Sequence, residues 1–262
     1  MKTILAVLLC AIVAVAVAGF VFFGDSDNEI PAETTTAQQA DLNVTDVAQE
    51  TTAAPERIAD YAYAYAGFEP YYANTNIENW NMLLVNRDYI LPDDFEVELA
   101  PCITSDPDSL KLDYRVAPHY NEMYLAALED GIELVPVSGY RSVERQKNNF
   151  ERKINTYMDQ GYARTEATQM AATIILPPGT SEHNAGLAMD ICSLEQNFEE
   201  TEEFRWLSIH AADYGFILRY PEDKQDITKI IYEPWHWRYV GVEVAKEMQA
   251  TGECFEEYLG LA

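Results

Sequence analysis

The stretch "PPGTSEHNAGLAMDI", residues 177–191, sets one of the chain's four histidines seven positions before an aspartate, with Pro177, Pro178, Gly179 and Gly186 as punctuation. Prolines and glycines at that density break regular structure, so the first half reads as a loop. "GLAMDI" (186–191) reads as a short apolar strand. His183 therefore closes a loop and Asp190 lies on the strand that follows, with Gly186 and Ala188 small enough to let another backbone approach. A catalytic zinc takes three protein ligands, His with or without one carboxylate, and keeps a fourth position for water. "YEPWHWRY" (232–239) offers a third ligand, His236, and places Glu233 three residues before it. A carboxylate beside a metal is what a hydrolase needs, because it can take a proton from the attacking water and return it to the leaving amine. Taken singly, each histidine has a plain structural reading, as a turn residue in a Gly-rich loop or a core residue between two tryptophans.

Outward from this stretch, "APHYNEMYLAALEDG" (117–131) carries apolar residues at helical spacing and ends in glycine, so it predicts a helix. Helices are also predicted over 142–161, 164–174, 203–215 and 242–252. Strands are predicted at 82–86 ("MLLVN"), at 132–140 running into a turn, at 216–220, and as strand or tight loop at 232–240. Helices and short strands alternate without a regular βαβ rhythm, which predicts an α+β domain. His119 and His210 fall inside predicted helices and are read as structural. Trp235, Trp237 and Tyr239 alternate along one segment and are read as a pocket wall, since alternate residues of a strand share a face.

Ile4 to Phe23 is an uncharged apolar run of 20 residues, about the length that crosses a bilayer as a helix. Lys2 precedes it and Asp25, Asp27 and Glu29 follow, which favours a cytoplasmic N-terminus and an exported body. Ala16-Val17-Ala18 would suit signal cleavage, but the apolar run continues past it, so residues 1–23 are expected to be an uncleaved membrane anchor. Residues 24–60 are rich in Thr, Ala, Gln and acids and nearly free of aromatics, the composition of a disordered stalk. A tyrosine-crowded segment then opens the folded domain, expected over 61–262.

The formal charge is −27, of which residues 61–262 carry −20. A surface of that sign repels a phosphate backbone and excludes nucleic acid as a partner. Cys10 lies in the apolar run, and Cys102, Cys192 and Cys254 lack the paired spacing of a zinc site. One disulfide plus a free thiol is open to them, without a readable pairing. Cys192, two after Asp190, would share that residue's side of a strand, where packing is its expected role.

"SGYRSVERQ" (138–146), "PPGTSEHNAGLAMDI" and "YEPWHWRYVG" occur in this order, and together they resemble the VanY-type D-alanyl-D-alanine carboxypeptidases, zinc peptidases of the bacterial wall. The family pattern SxHxxGxAxD is met by Ser181, His183, Gly186, Ala188 and Asp190, and ExWH by Glu233, Trp235 and His236. "NWNMLLVNRDYILPDDF" is also similar to the family's opening strand, so the likeness spans roughly residues 79–250. The resemblance implies a single compact zinc-peptidase domain, a small antiparallel sheet flanked by helices. It further implies one Zn²⁺ on His183, Asp190 and His236, Glu233 as general base, and substrate contacts from Arg141, Gln146 and Ser181. For Arg141 the physics agrees, because a guanidinium fork suits a terminal carboxylate. The implied substrate is a peptidoglycan stem peptide that loses its C-terminal D-alanine, with the D-Ala-D-Ala bond expected and an L,D-carboxypeptidase acting on tetrapeptide stems as the alternative. The chain is expected to work as a monomer. A non-haem iron oxygenase begins its ligand set with a tight HxD, which this chain lacks. A wall-binding module with a structural zinc would have no use for Glu233.

Overall fold

The computed structural model of the protein describes residues 57–103 and 110–262. Near the start of the described residues, α1 (Ile58–Tyr63) buries Ala59 and Ala62 against Ile90. The expected anchor at 1–23, most of the stalk at 24–60, and Cys10 lie outside the described residues. Among the described residues, no helix is long and apolar enough to cross a membrane.

Two small ribbons precede the main body. β1 (Tyr71–Tyr72) runs parallel to β2 (Tyr89–Ile90), and β3 (Leu99–Pro101) pairs antiparallel with β4 (Lys111–Asp113). The expected strand at 82–86 is instead a 3-10 turn, Trp80–Met82, followed by irregular chain. Leu83 and Val85 are buried as an apolar strand would be, but their segment has no ladder partner. Its carbonyls are taken by a guanidinium: Arg238 Nη2 donates to Asn81 O and Leu83 O at 2.9 and 2.8 Å. A buried arginine thus replaces the neighbouring strand.

α2 (Ala117–Glu129) buries Ala117, Tyr120, Met123 and Ala127, the three-to-four spacing that marks its core face. It ends where Gly131 turns left-handed at φ +82°. Only Pro136–Ser138 (β5) of the predicted 132–140 strand pairs with the sheet. α3 (Val143–Asp159) starts at Ser142, whose hydroxyl accepts from Arg145 N at 3.2 Å. Phe150 and Ile154 of α3 pack with Ala167 and Ala171 of α4 (Arg164–Ala171) and with Tyr65 and Phe68. After β6 (Ala188–Ile191), α5 (Glu202–His210) passes into a 3-10 turn at Ala211–Tyr214, so the single helix predicted at 203–215 is two pieces. β7 (Phe216–Leu218), α6 (Gln225–Thr228), β8 (His236–Tyr239), α7 (Val242–Thr251) and α8 (Phe255–Tyr258) complete the chain.

The four long-range strands form one antiparallel sheet in the order β5-β6-β8-β7. Its two central strands are buried along their whole length, and period two divides them cleanly. Met189, Ile191, Trp237 and Tyr239 join the main apolar core with residues of α2 and α5. Asp190, His236 and Arg238 occupy the other face. Trp237 and Tyr239 are therefore core rather than pocket wall. His119 stacks on Tyr239 and His210 lies against Trp206, both with ring centroids 4.8 Å apart, in the structural roles expected of them. Cys102, Cys192 and Cys254 are all free thiols. Cys192 adopts φ +61°, which swings its sulfur off the Asp190 face and toward Glu133 O at 3.5 Å.

Candidate metal centre

Strand register alone brings two of the expected ligands together, because Asp190 on β6 sits directly opposite His236 on β8. His183 arrives from the 3-10 turn Glu182–Ala185 that leads into β6. Gly186 closes that turn at φ +68°, and a Cβ there would lie 2.7 Å from Asp113 N, so only glycine fits. The turn is pinned to the "SGYRS" segment by three hydrogen bonds. His183 Nδ1 donates to Gly139 O at 2.8 Å, Arg141 N to His183 O at 3.0 Å, and Asn184 Nδ2 to Arg141 O at 2.8 Å. Two motifs far apart in sequence thereby become one wall.

Donor atoms of His183, Asp190 and His236 lie within 4.8 Å of one another, and all three residues are buried. Nδ1 of His183 faces a carbonyl and must carry the hydrogen, which leaves Nε2 as a lone pair 3.3 Å from Asp190 Oδ2. Burial, reinforced by repulsion from Arg141, holds His183 down to a pKa of about 4, so it is neutral. Asp190 is held well below the usual carboxylate range: burial opposes this, but His183, Arg141 and His236 outweigh it. His236 Nε2 donates to Glu182 Oε2 at 3.2 Å, so its Nδ1 is the atom turned inward, 3.1 Å from Asp190 Oδ1. Glu233 Oε2 is 3.8 Å from the same Nδ1. Without a cation at this point, burial and the Asp190 charge, opposed by His236, push Glu233 up to about 8. His236 rises to about 9, because hydrogen bonds to Asp190 and Glu182 outweigh the burial that would lower it. Two imidazoles and a carboxylate whose donor atoms converge on one point are the donor set of a catalytic zinc, and the residues present fit that ion.

Arg141 stands at the edge of the cluster, with Nη2 2.5 Å from Asp190 Oδ2 and Nε 2.8 Å from Ser138 Oγ. Ser181 Oγ accepts from His183 N at 3.4 Å and so shapes the ligand turn. Gln146 is buried on α3, donates to Leu176 O at 2.7 Å, and leaves Oε1 without a partner. Arg141, Gln146, Ser181 and Glu233 line one cavity of about 470 Å³ with the three candidate ligands. All seven residues expected at the site are therefore brought together.

Sequence reading missed the support behind them. Glu182, next to the ligand His183 in sequence, turns under His236. Its Oε1 accepts from Arg219 Nε at 2.7 Å and Arg238 Nη1 at 2.9 Å. Arg219 in turn makes a two-pronged pair with Glu256 at 2.8 and 2.6 Å, and Glu256 accepts from Asn86 at 3.1 Å. Both arginines and Glu182 are fully shielded from solvent. The only sequence signal was three charged residues next to or two from a motif histidine or strand, too weak to single them out.

A family profile described as "VanY: D-alanyl-D-alanine carboxypeptidase" matches residues 109–242. The chain belongs to the VanY family. It is 38% identical over 182 residues to a D-alanyl-D-alanine carboxypeptidase of Enterococcus faecalis, covering 70% of this chain and 66% of that one. The Bacillus subtilis protein YodJ is 39% identical over 68% of this chain and 66% of its own. The chain thus spans about two thirds of the length of these relatives. Among solved VanY-type structures, VanYB in complex with D-Alanine-D-Alanine is 39% identical, with TM-score 0.62, and the match covers 69% of this chain and 98% of that one. A D,D-pentapeptidase VanY variant solved with Zn(II) is 40% identical, with TM-score 0.61 over 69% and 99% of the two chains. The LdcB LD-carboxypeptidase is 32% identical, with TM-score 0.61 over 73% and 95%. The α+β fold expected from the sequence is that of these VanY-type neighbours.

Proposed function

We propose that this VanY-family chain is an extracytoplasmic zinc carboxypeptidase that removes the C-terminal D-alanine from peptidoglycan stem peptides by cutting the D-Ala-D-Ala bond. One observation carries the reading: a buried carboxylate, Glu233, stands 3.8 Å from His236 Nδ1, at the point where His183 and Asp190 converge. Zinc bound by His183, Asp190 and His236 supplies the Lewis acidity that activates water and polarises a carbonyl. Glu233 takes the proton of the attacking water on its carboxylate and passes it to the departing amine. Burial raises the pKa of Glu233, which strengthens its carboxylate as a proton acceptor.

Arg141 uses two of its donors on Ser138 and Asp190, and a guanidinium has five. The remaining donors bind the terminal carboxylate. Gln146 Oε1, buried and unpartnered at the cavity wall, accepts a peptide N–H, and Ser181 donates its hydroxyl hydrogen to the substrate. The apolar run at 4–23 supports a single-pass membrane anchor with an exported catalytic domain, and the acidic segment after it a stalk that lifts the domain toward a wall polymer. The domain acts as a monomer in this reading. The structural likeness to the LdcB LD-carboxypeptidase supports an L,D-carboxypeptidase as the second reading.

The test is D-alanine release by the zinc-loaded protein from pentapeptide and tetrapeptide stems, each as free acid and C-terminal amide. Release from the free-acid pentapeptide alone is expected. Release only from the tetrapeptide moves the assignment to the L,D bond, and equal rates on amide and acid refute the role given to Arg141.

A further inference from the structure

The residues that line the catalytic cavity invert the charge of the molecule around them. Residues 61–262 carry −20, yet the cavity lining holds four cations, Arg141, Arg145, Arg152 and Lys153, against two carboxylates, Asp190 and Glu233. Both carboxylates belong to the metal cluster. Away from it every charged residue of the cavity wall is a cation.

Three of these cations come from one face of α3. Arg145, Asn149, Arg152 and Thr156 follow the four-then-three-then-four spacing of a helix stripe, with Lys153 at its edge, and all five line the cavity. The carboxylates of α3 point elsewhere: Glu144 lies 3.9 Å from Lys147, and Glu151 2.8 Å from Arg164 of α4. The Arg152 guanidinium donates to Asn149, and Lys153 lies over the Tyr157 ring. Among the described residues no carboxylate pairs with Arg145, Arg152 or Lys153. In a chain with 44 acids for 17 bases, three bases kept out of ion pairs on one face are not what a solvated helix gives by default.

Resting on the carboxypeptidase reading above, we propose that this face of α3 is a second anion subsite, which binds a carboxylate carried by the stem peptide upstream of the bond to be cut. The stripe from Arg145 to Thr156 rises roughly 16 Å along the helix, the length of about five residues of extended peptide. A ligand that reaches the metal cluster through a cavity of about 470 Å³ has to lie against this wall. The cavity suits a short peptide better than a polymer, which points to an acidic stem residue rather than to an anionic phosphodiester chain. Arg141 at one end takes the terminal carboxylate, and Arg145, Arg152 and Lys153 take the interior one. Exposed pairs of this kind are individually weak and salt-sensitive, so the subsite selects among stems more than it holds them.

The experiment compares two pentapeptide stems, both ending in free D-Ala-D-Ala, that differ only in one interior acidic residue present as carboxylate or as its amide. The zinc-loaded protein should show kcat/KM about tenfold higher on the carboxylate form, through KM, and the preference should shrink as NaCl is raised. The Arg145→Gln/Arg152→Gln/Lys153→Gln variant, checked for parental zinc content and helical signal, should bring the ratio of the two stems to about one. A parental ratio of one, or a ratio unchanged in the variant, overturns the subsite. So does loss of inhibition by a polyphosphate in the variant with no change in stem preference, which would assign the face to a polymer. If the parental protein released D-alanine from neither stem, the carboxypeptidase reading would fail, and calorimetric binding of the same two stems to parental and variant protein would still decide the subsite.

Discussion

Replacing Glu182 with glutamine should cost both stability and metal affinity, and the two losses can be separated. Glu182 holds Arg219 and Arg238 through Oε1 and His236 through Oε2, and all of these contacts are buried. In the native cluster two guanidiniums face two carboxylates, Glu182 and Glu256. The Glu182→Gln change leaves two guanidiniums on one carboxylate, a net buried positive charge. Removing one partner of a buried ion pair costs about 3–5 kcal/mol, so the folded-to-unfolded ratio should fall by on the order of 10³. An outer partner of a metal-binding histidine contributes roughly 10–100-fold in metal affinity, because it fixes which ring nitrogen carries the hydrogen. Urea denaturation of the metal-free protein reads the first loss, and zinc competition against a chelator the second. Glu256→Gln is the control: it breaks the Arg219 pair without touching His236, so stability should fall while zinc affinity stays within a few-fold. A Glu182→Gln protein that loses stability but keeps parental zinc affinity would refute the positioning role. One that keeps both would refute the energetic account of the cluster.

Two further outcomes follow from the charges. In the metal-free protein at pH 7, His236, with its pKa raised to about 9, and Glu233, raised to about 8, both hold protons that a bound dication displaces, so zinc binding should release about one to two protons and tighten as pH rises toward 9. Calorimetry in buffers of different ionisation enthalpy measures this, and a buffer-independent heat would contradict it. Glu182 and Glu256 have folded pKa values below their unfolded ones, because burial is outweighed by Arg219 and, for Glu182, also by Arg238. Their contribution is full above the unfolded value of ~4.3 and is lost as pH falls from there toward the folded values. Denaturation midpoints measured from pH 6 to pH 3 should drop below about pH 4.5, more shallowly in Glu256→Gln; a flat profile in the parental protein would refute the assignment.

The metal centre was legible in the sequence because ligand chemistry admits few residue types and fixes their order along the chain. His183, Asp190, His236 and Glu233 announce themselves by kind and spacing. Their outer support does not, since Arg219 and Arg238 meet Glu182 from 37 and 56 positions away in chemistry that any surface residue shares. The same gap explains the misread strand at 82–86: its apolar residues are buried as expected, but Arg238 Nη2, arriving from 155 and 157 positions away, satisfies the carbonyls that a ladder would have used. Of the three aromatics read as a pocket wall, Trp235, just before β8, does line the cavity, whereas Trp237 and Tyr239 on the strand face the core, because packing of α2 and α5 decides which face of the sheet meets the cavity. Cys192 escaped its strand face by a single left-handed residue, a local exception that no pattern encodes.

In the proposed mechanism Glu233 does the proton chemistry at a zinc site that His183, Asp190 and His236 hold without it. Zinc content and D-alanine release should therefore be measured on the same purified sample of Glu233→Gln beside the parental protein. About one zinc per chain is expected in both, with release from a free-acid pentapeptide stem lower in the variant by at least ~10². A Glu233→Gln protein that keeps its zinc and releases D-alanine at the parental rate would contradict that mechanism.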